Sequence, residues 1–145
     1  MKYNSWFFFI YTTFILFLIS CGPNTDQGKY KIKYKQYVNE GYRLYVQHCS
    51  NCHQKDGTGL ARLYPPLKDS NYLMNDPDSI ICIIKNGQKG EIFVNNISFN
   101  QPMPENLVLT NLEIAEITTF LYSEWGETKH FISPQEIEEI LSLCP

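Results

Sequence analysis

Cys49-Ser50-Asn51-Cys52-His53 is the stretch from which the rest of this chain reads outward. The spacing C-x-x-C-H is the attachment signature of a c-type haem. Two thiols one helical turn apart suit addition across the two vinyl groups of one haem, giving thioethers at Cys49 and Cys52. The next residue, His53, is then held beneath the iron as proximal ligand. The expected cofactor is one covalent haem c. A bare C-x-x-C also serves as half a zinc site or as a redox dithiol. Zinc wants a second ligand pair, and the later cysteines, Cys82 and Cys144, stand singly. A redox dithiol wants a buried strand before it, whereas residues 38–48 read as a helix.

Upstream, residues 6–19 are almost unbroken apolar sequence, fourteen residues following Lys2. That falls short of the ~20 needed to span a bilayer and matches the h-region of a signal peptide. Leu18-Ile19-Ser20-Cys21 resembles a bacterial lipobox, in which Cys21 is lipidated and becomes the first mature residue. An uncleaved signal anchor is the alternative. Either way the remainder is tethered and faces an extracytoplasmic, oxidising space; the expected form is a lipoprotein on the periplasmic face of the inner or outer membrane. The 145 residues carry a net charge of −3, so nucleic acid is not an expected partner. Residues 22–36 carry turn formers and alternating Lys29, Lys31, Lys33 and Lys35. They read as a solvated linker with local β character. A basic strip on anionic headgroups is the sharper alternative.

A first helix is expected from Val38 into the motif, with Val38, Gly41, Tyr42, Tyr45 and Cys49 on one face. Gly41 inside it predicts close approach of another backbone. Residues 54–67 read as a loop. There Pro65-Pro66 removes two backbone donors while leaving carbonyls, and such a carbonyl suits the partner of a ligating histidine. Prolines that only shape the loop fit equally well. A short helix near residues 69–74 precedes a firmer one with Asp76 as N-cap and Pro77 at its first position, stopping at Gly87. Residues 88–106 show no helical period. Capping boxes at Thr110/Glu113 and Ser133/Glu136 open two further helices. The first is expected to be amphipathic, burying Ile114, Ile117, Thr118, Leu121 and Trp125. The second places Ile137, Ile140, Leu141 and Cys144 on one face.

Low-spin electron transfer needs a sixth iron ligand. His48 adjoins the motif and His130 sits in a polar connector. Met74 lies where methionine usually packs. Met103, between Pro102 and Pro104 in a long loop, is the expected ligand, and Met/His ligation raises a haem potential.

These residues together resemble the class I cytochromes c of bacterial monohaem type. Gly41-Tyr42-Arg43-Leu44-Tyr45 with the haem motif is similar to that family's first helix. Tyr64-Pro65-Pro66-Leu67-Lys68-Asp69-Ser70 is similar to its P-P-L-x-x-S stretch. Asn86-Gly87, Val94-Asn95 and Met103-Pro104 resemble its methionine loop, and residues 114–126, ending Trp125-Gly126, its last helix. The resemblance implies an all-α fold wrapped around one haem, its first and last helices crossing. It implies that the carbonyl of Pro65 or Pro66 accepts from His53. With the N-terminal reading above, the expected boundaries are signal peptide 1–20, lipid-anchored linker 21–36, cytochrome domain 37–126 and an extra C-terminal helix 127–145 that lies outside the resemblance. Glu105 departs from the family's usual apolar or proline residue after M-P.

The expected function is membrane-tethered electron carriage rather than catalysis, with an oxidase, reductase or dehydrogenase as redox partner. A haem gas sensor with a labile sixth ligand and a subunit of a larger redox enzyme are the alternatives. Cys82 and Cys144 remain once lipid and haem have taken the other three of the five cysteines. Cys82 faces away from the isoleucine side of its helix. A Cys82–Cys144 disulfide pinning the tail is expected, with two free thiols as the alternative.

Overall fold

The computed structural model describes residues 26–126 and 131–145. The segment read as a signal peptide, Cys21 and His130 lie outside the described residues. The chain divides into units Met1–Lys31 and Ile32–Pro145. Of the first, the described part is the solvent-exposed opening of helix α1, Asp26–His48. The packing described below is that of the second.

Helices α2 (Ser50–His53), α3 (Asn71–Asn75), α4 (Pro77–Asn86), α5 (Asn111–Glu124) and α6 (Pro134–Ser142) follow α1, with strands β1 (Ile92–Val94) and β2 (Ile97–Phe99) between α4 and α5. The described fold is thus mostly helical. The expected linker at 21–36 is corrected from Asp26 onward: residues 26–36 are helix, not extended chain. Once the packed part of α1 has formed, each further turn avoids the cost of nucleation, and Asp26 suits a helix N-terminus. Lys33 is spent on packing, its ammonium 4.8 Å from the Phe131 ring centre and 5.6 Å from that of Tyr37.

The inner face of α1 is Tyr37, Gly41, Leu44 and Tyr45. Tyr42 departs from its expected burial: it is 47% exposed, laying its ring against Phe120 at 5.4 Å. A Cβ on Gly41 would stand 2.6 Å from the Glu116 carbonyl carbon and 2.7 Å from Phe120 Cβ. α1 and α5 therefore cross backbone against backbone. Tyr45, Phe120 and Trp125 close the crossing with centroids 5.3–5.5 Å apart, Trp125 edge-on to the other two and Tyr45 tilted on Phe120.

Helix α5 is not the one-faced helix expected. Residues Ile114, Ala115 and Ile117 to Tyr122 are all buried. α1 covers one side, α4 and α6 cover others. Two threonines survive burial because they are bonded: Thr118 Oγ1 donates to the Ile114 carbonyl at 2.7 Å, and Thr119 Oγ1 accepts from Ile132 N–H at 3.4 Å. Tyr122 donates to the Leu73 carbonyl at 2.8 Å, and burial pushes its pKa up to about 12.

The segment read as irregular contains a hairpin, pairing Ile92 with Phe99 and Val94 with Ile97. Its two-residue turn, Asn95-Asn96, has both φ angles positive at 51° and 63°, the primed turn that twists with the strands. Asn95 also locks the hairpin to α3. Its side-chain oxygen accepts from Asn71 N–H at 3.0 Å, while its own N–H donates to the Asn71 side chain at 2.8 Å.

The tail joins the core: Ile137 is fully buried, and α6 packs on both α4 and α5. Cys82 of α4 and Cys144 are joined by a disulfide with Cα atoms 5.7 Å apart, closing a loop of 62 residues. Changing both to serine should cost about 3 kcal/mol of stability through the freed unfolded chain. The readout is the denaturant midpoint, and an unchanged midpoint would show that the bond contributes nothing.

Candidate functional site

The haem motif sits where α1 ends. The backbone turns at Cys49, and residues 50–53 form one tight helical turn, with His53 N–H donating to the Cys49 carbonyl at 3.0 Å. Gln54 follows with φ 61° and ψ 159°, a region nearly reserved for glycine. That conformation turns its carbonyl onto the buried Tyr45 hydroxyl, which donates to it. Burial raises the Tyr45 pKa, keeping that hydroxyl protonated as donor. The strained residue directly after His53 is thereby tied to the first helix.

His53 is 8% exposed, and its Nδ1 lies 3.0 Å from the Pro65 carbonyl oxygen. A carbonyl only accepts, so Nδ1 carries the hydrogen and Nε2 keeps its lone pair. Desolvation lowers the His53 pKa, outweighing the Pro65 bond that raises it, and leaves the imidazole neutral. This is the tautomer and charge state that ligates a metal through Nε2. Of the two candidate prolines, Pro65 makes the bond; Pro66 contributes only to the cleft wall. Gly59 lets the loop close: a Cβ there would lie 2.7 Å from the Pro65 oxygen. Leu67 and Lys68 N–H both donate to the Gly57 carbonyl, at 2.8 and 3.0 Å, and Gly59 N–H to that of His53 at 3.0 Å.

Cys49, Cys52 and His53 open onto a cleft of about 960 Å³ including its mouth. Its walls are apolar. Pro65, Pro66 and Leu67 form one; Ile80, Ile83 and Ile84 of α4 form another; the hairpin adds Ile92, Val94 and Phe99; Ile117 and Leu121 of α5 line it too. Met103 also lines it, whereas His48 and Met74 are not among its lining residues. Both thiols are half-buried, and burial pushes the Cys49 thiol up to about 12. A flat apolar macrocycle with a metal at its centre fits this donor set: soft sulfur and neutral imidazole in a cleft with almost no other polar group.

Sequence reasoning missed what braces Met103. Its N–H and C=O exchange hydrogen bonds with Gln88, at 2.9 and 3.0 Å. Gly87, at φ 77°, lies so close that a Cβ would stand 2.5 Å from the Met103 oxygen. The stop-signal glycine was visible; its second duty to the methionine loop was not. The hairpin did have a signal, Asn-Asn between Ile-Phe-Val and Ile-Ser-Phe.

Residues 36–121 match the protein family described as cytochrome C oxidase, cbb3-type, subunit III. The chain belongs to that family. It is a monohaem class I cytochrome c, an electron-transfer protein whose cofactor is covalently bound haem c. Cytochrome c-552 of Thermus thermophilus is 28% identical to it over 110 residues, covering 72% of this cytochrome and 83% of that protein. The cytochrome c subunit of the quinone alcohol dehydrogenase of Gluconacetobacter polyoxogenes is 32% identical over 89 residues, 59% of this cytochrome and 19% of that subunit. The corresponding Gluconobacter oxydans subunit is 30% identical over 92 residues, again 19% of its length. Among the described residues no helix is long and apolar enough to cross a membrane.

Proposed function

We propose that this cytochrome is an extracytoplasmic electron carrier in which Cys49 and Cys52 hold the haem by thioethers and His53 and Met103 are the axial ligands. The observation that carries this reading is the His53–Pro65 hydrogen bond inside an apolar cleft that the two thiols and Met103 share. Haem bound there supplies a one-electron iron couple. The protein's part is to bind, orient and exclude water. Pro65 fixes the imidazole plane and leaves Nε2 for the metal. The isoleucine walls from α4 and the hairpin keep the site dry, which favours the less charged state and raises the potential. Met103 would hold the remaining coordination position, so that electron transfer would require no ligand to enter or leave. A gas-sensing role needs that position open, and the bracing of Met103 argues against it.

We place a signal peptide at 1–20, lipidation at Cys21, a cytochrome domain at 37–126 and an appended tail helix beyond it. Cys21 follows the apolar run directly, and doubly acylated cysteine is a stable anchor where a single chain is marginal. Similarity to the cytochrome c subunits of quinone alcohol dehydrogenases favours a dehydrogenase as electron donor, with this chain as free carrier or attached subunit. A dehydrogenase co-purifying with the chain from native membranes would favour the attached form.

Met103→Ala tests the ligation. Visible spectra should change to high-spin, the reduced protein should bind carbon monoxide rapidly, and the potential should fall. A spectrum identical to wild type would remove Met103 from the role.

A further inference from the structure

We propose that Lys85 is a positioning residue for the sixth ligand: its ammonium clasps the chain leaving Met103 and so sets the strength of the Met103–iron bond. The proposal rests on the axial role given to Met103 above.

Two sets of contacts hold the methionine loop to the end of α4. On one side of the site, Gln88 and Met103 exchange backbone hydrogen bonds. On the other, Asn106 N–H donates to the Lys85 carbonyl at 3.0 Å, while Lys85 Nζ donates to the carbonyls of Leu107 at 3.1 Å and Leu109 at 2.8 Å. The methionine loop is thus gripped at Met103 itself by Gln88 and, three to six residues further on, by Lys85. Besides these, the stretch has the close backbone of Gly87 against Pro104 and Glu105 and one turn bond from Leu109 N–H to the Asn106 carbonyl. Pro104 and Glu105 are exposed, Leu107 is 64% exposed and Val108 78%. Its apolar side chains are therefore not what fixes it.

Lysine is the residue type this place calls for. It lies in the last turn of α4, where a cation faces the negative end of the helix. An ammonium offers three donors on a flexible stem, and two of them are used on carbonyls two residues apart. Bonds from a charged donor are stronger than neutral ones. Leu109, at the far end of the clasp, is buried and adjoins Thr110, the N-cap of α5. The ammonium therefore ties the methionine loop to both α4 and α5, the two helices that wall the cleft. Thioether sulfur is a weak neutral ligand, so its bond to ferric iron depends on how firmly the loop holds it in place.

The test compares wild-type holoprotein with Lys85→Met, which keeps the stem and removes the donors, and Lys85→Arg, which restores them. Met103→Ala is the reference. In Lys85→Met the sulfur-to-iron charge-transfer band of the ferric protein should weaken and the potential should fall. Carbon monoxide should bind the reduced protein at least about tenfold faster, since two charge-assisted bonds are lost and one alone is of that order. Lys85→Arg should lie near wild type in all three. If Lys85→Met does not fold, Lys85→Gln, with one site of donation, carries the same comparison. A Lys85→Met protein with wild-type band, potential and rate, beside a changed Met103→Ala, overturns the clasp alone. Equal impairment in Lys85→Met and Lys85→Arg also overturns it, because restoring the donors would then restore nothing. An unchanged Met103→Ala overturns the ligand reading, and the clasp with it.

Discussion

A Cys49→Ala, Cys52→Ala double variant should retain no haem after denaturation, where the wild-type chain keeps its full complement. On the proposed assignment the thioethers are the attachment that survives loss of the fold, since a His53 or Met103 bond to iron would not outlast unfolding. The measurement is haem-dependent staining of the chain on a denaturing gel. Haem remaining on the double variant would sink the assignment of the motif. A second consequence follows from the cleft. Its walls expose Ile80, Ile83, Ile84, Ile92, Val94 and Phe99 to whatever fills it. Without a covalent occupant, folding loses the stabilisation of a ligand that binds only the native state. The variant should therefore also melt earlier and over a broader range, and the cleft should bind hydrophobic dyes.

Gly41→Ala is the second large effect, and its sign is diagnostic. Alanine is worth about 1 kcal/mol more than glycine inside a helix, so local propensity alone favours the substitution. The crossing predicts the opposite. The new Cβ would meet the Glu116 backbone and Phe120 Cβ, not the end of a flexible side chain. α5 has no room to retreat, being packed by α4 and α6 on other sides. We expect a net loss of roughly 4 kcal/mol, at the exceptional end for one methyl group. Asn39→Ala, on the exposed face of the same helix, should stay within about 0.5 kcal/mol of wild type. A Gly41→Ala protein more stable than wild type would mean that the helices can separate freely.

What was legible in the chain was local chemistry. C-x-x-C-H names its cofactor because two thiols and an imidazole at that spacing have few other uses. The capping boxes at Thr110/Glu113 and Ser133/Glu136 are present with both reciprocal bonds, because such a box is closed within four residues. Asp76, Pro77 and Gly87 bound α4 for the same reason. Gly41 was a legible oddity, since a glycine disfavoured inside a helix needs a neighbour to justify it.

Other features depended on residues far apart in sequence. In sequence the Pro66 carbonyl is as good an acceptor for His53 as that of Pro65; Pro65 rather than Pro66 faces His53 because Gly59 lets the loop fold in beneath it. α5 looked amphipathic because a single periodic face takes in Thr118 but leaves Ala115, Thr119, Phe120 and Tyr122 on the other sides, where only neighbouring helices can cover them. Thr118 and Thr119 become core residues once bonded to Ile114 and Ile132, and a neighbour 13 residues away has no periodic signal. The lysine-rich opening of α1 is helical because an already packed helix extends at little cost, which composition does not report. By itself the sequence determined the cofactor, the helix ends and the need for a close crossing. Tertiary structure alone decided which carbonyl orients His53, how α5 is covered and how residues 85–88 grip Met103. Each of these is a contact across a loop or between helices, and backbone groups that make such contacts are the same in every residue until the fold brings them together.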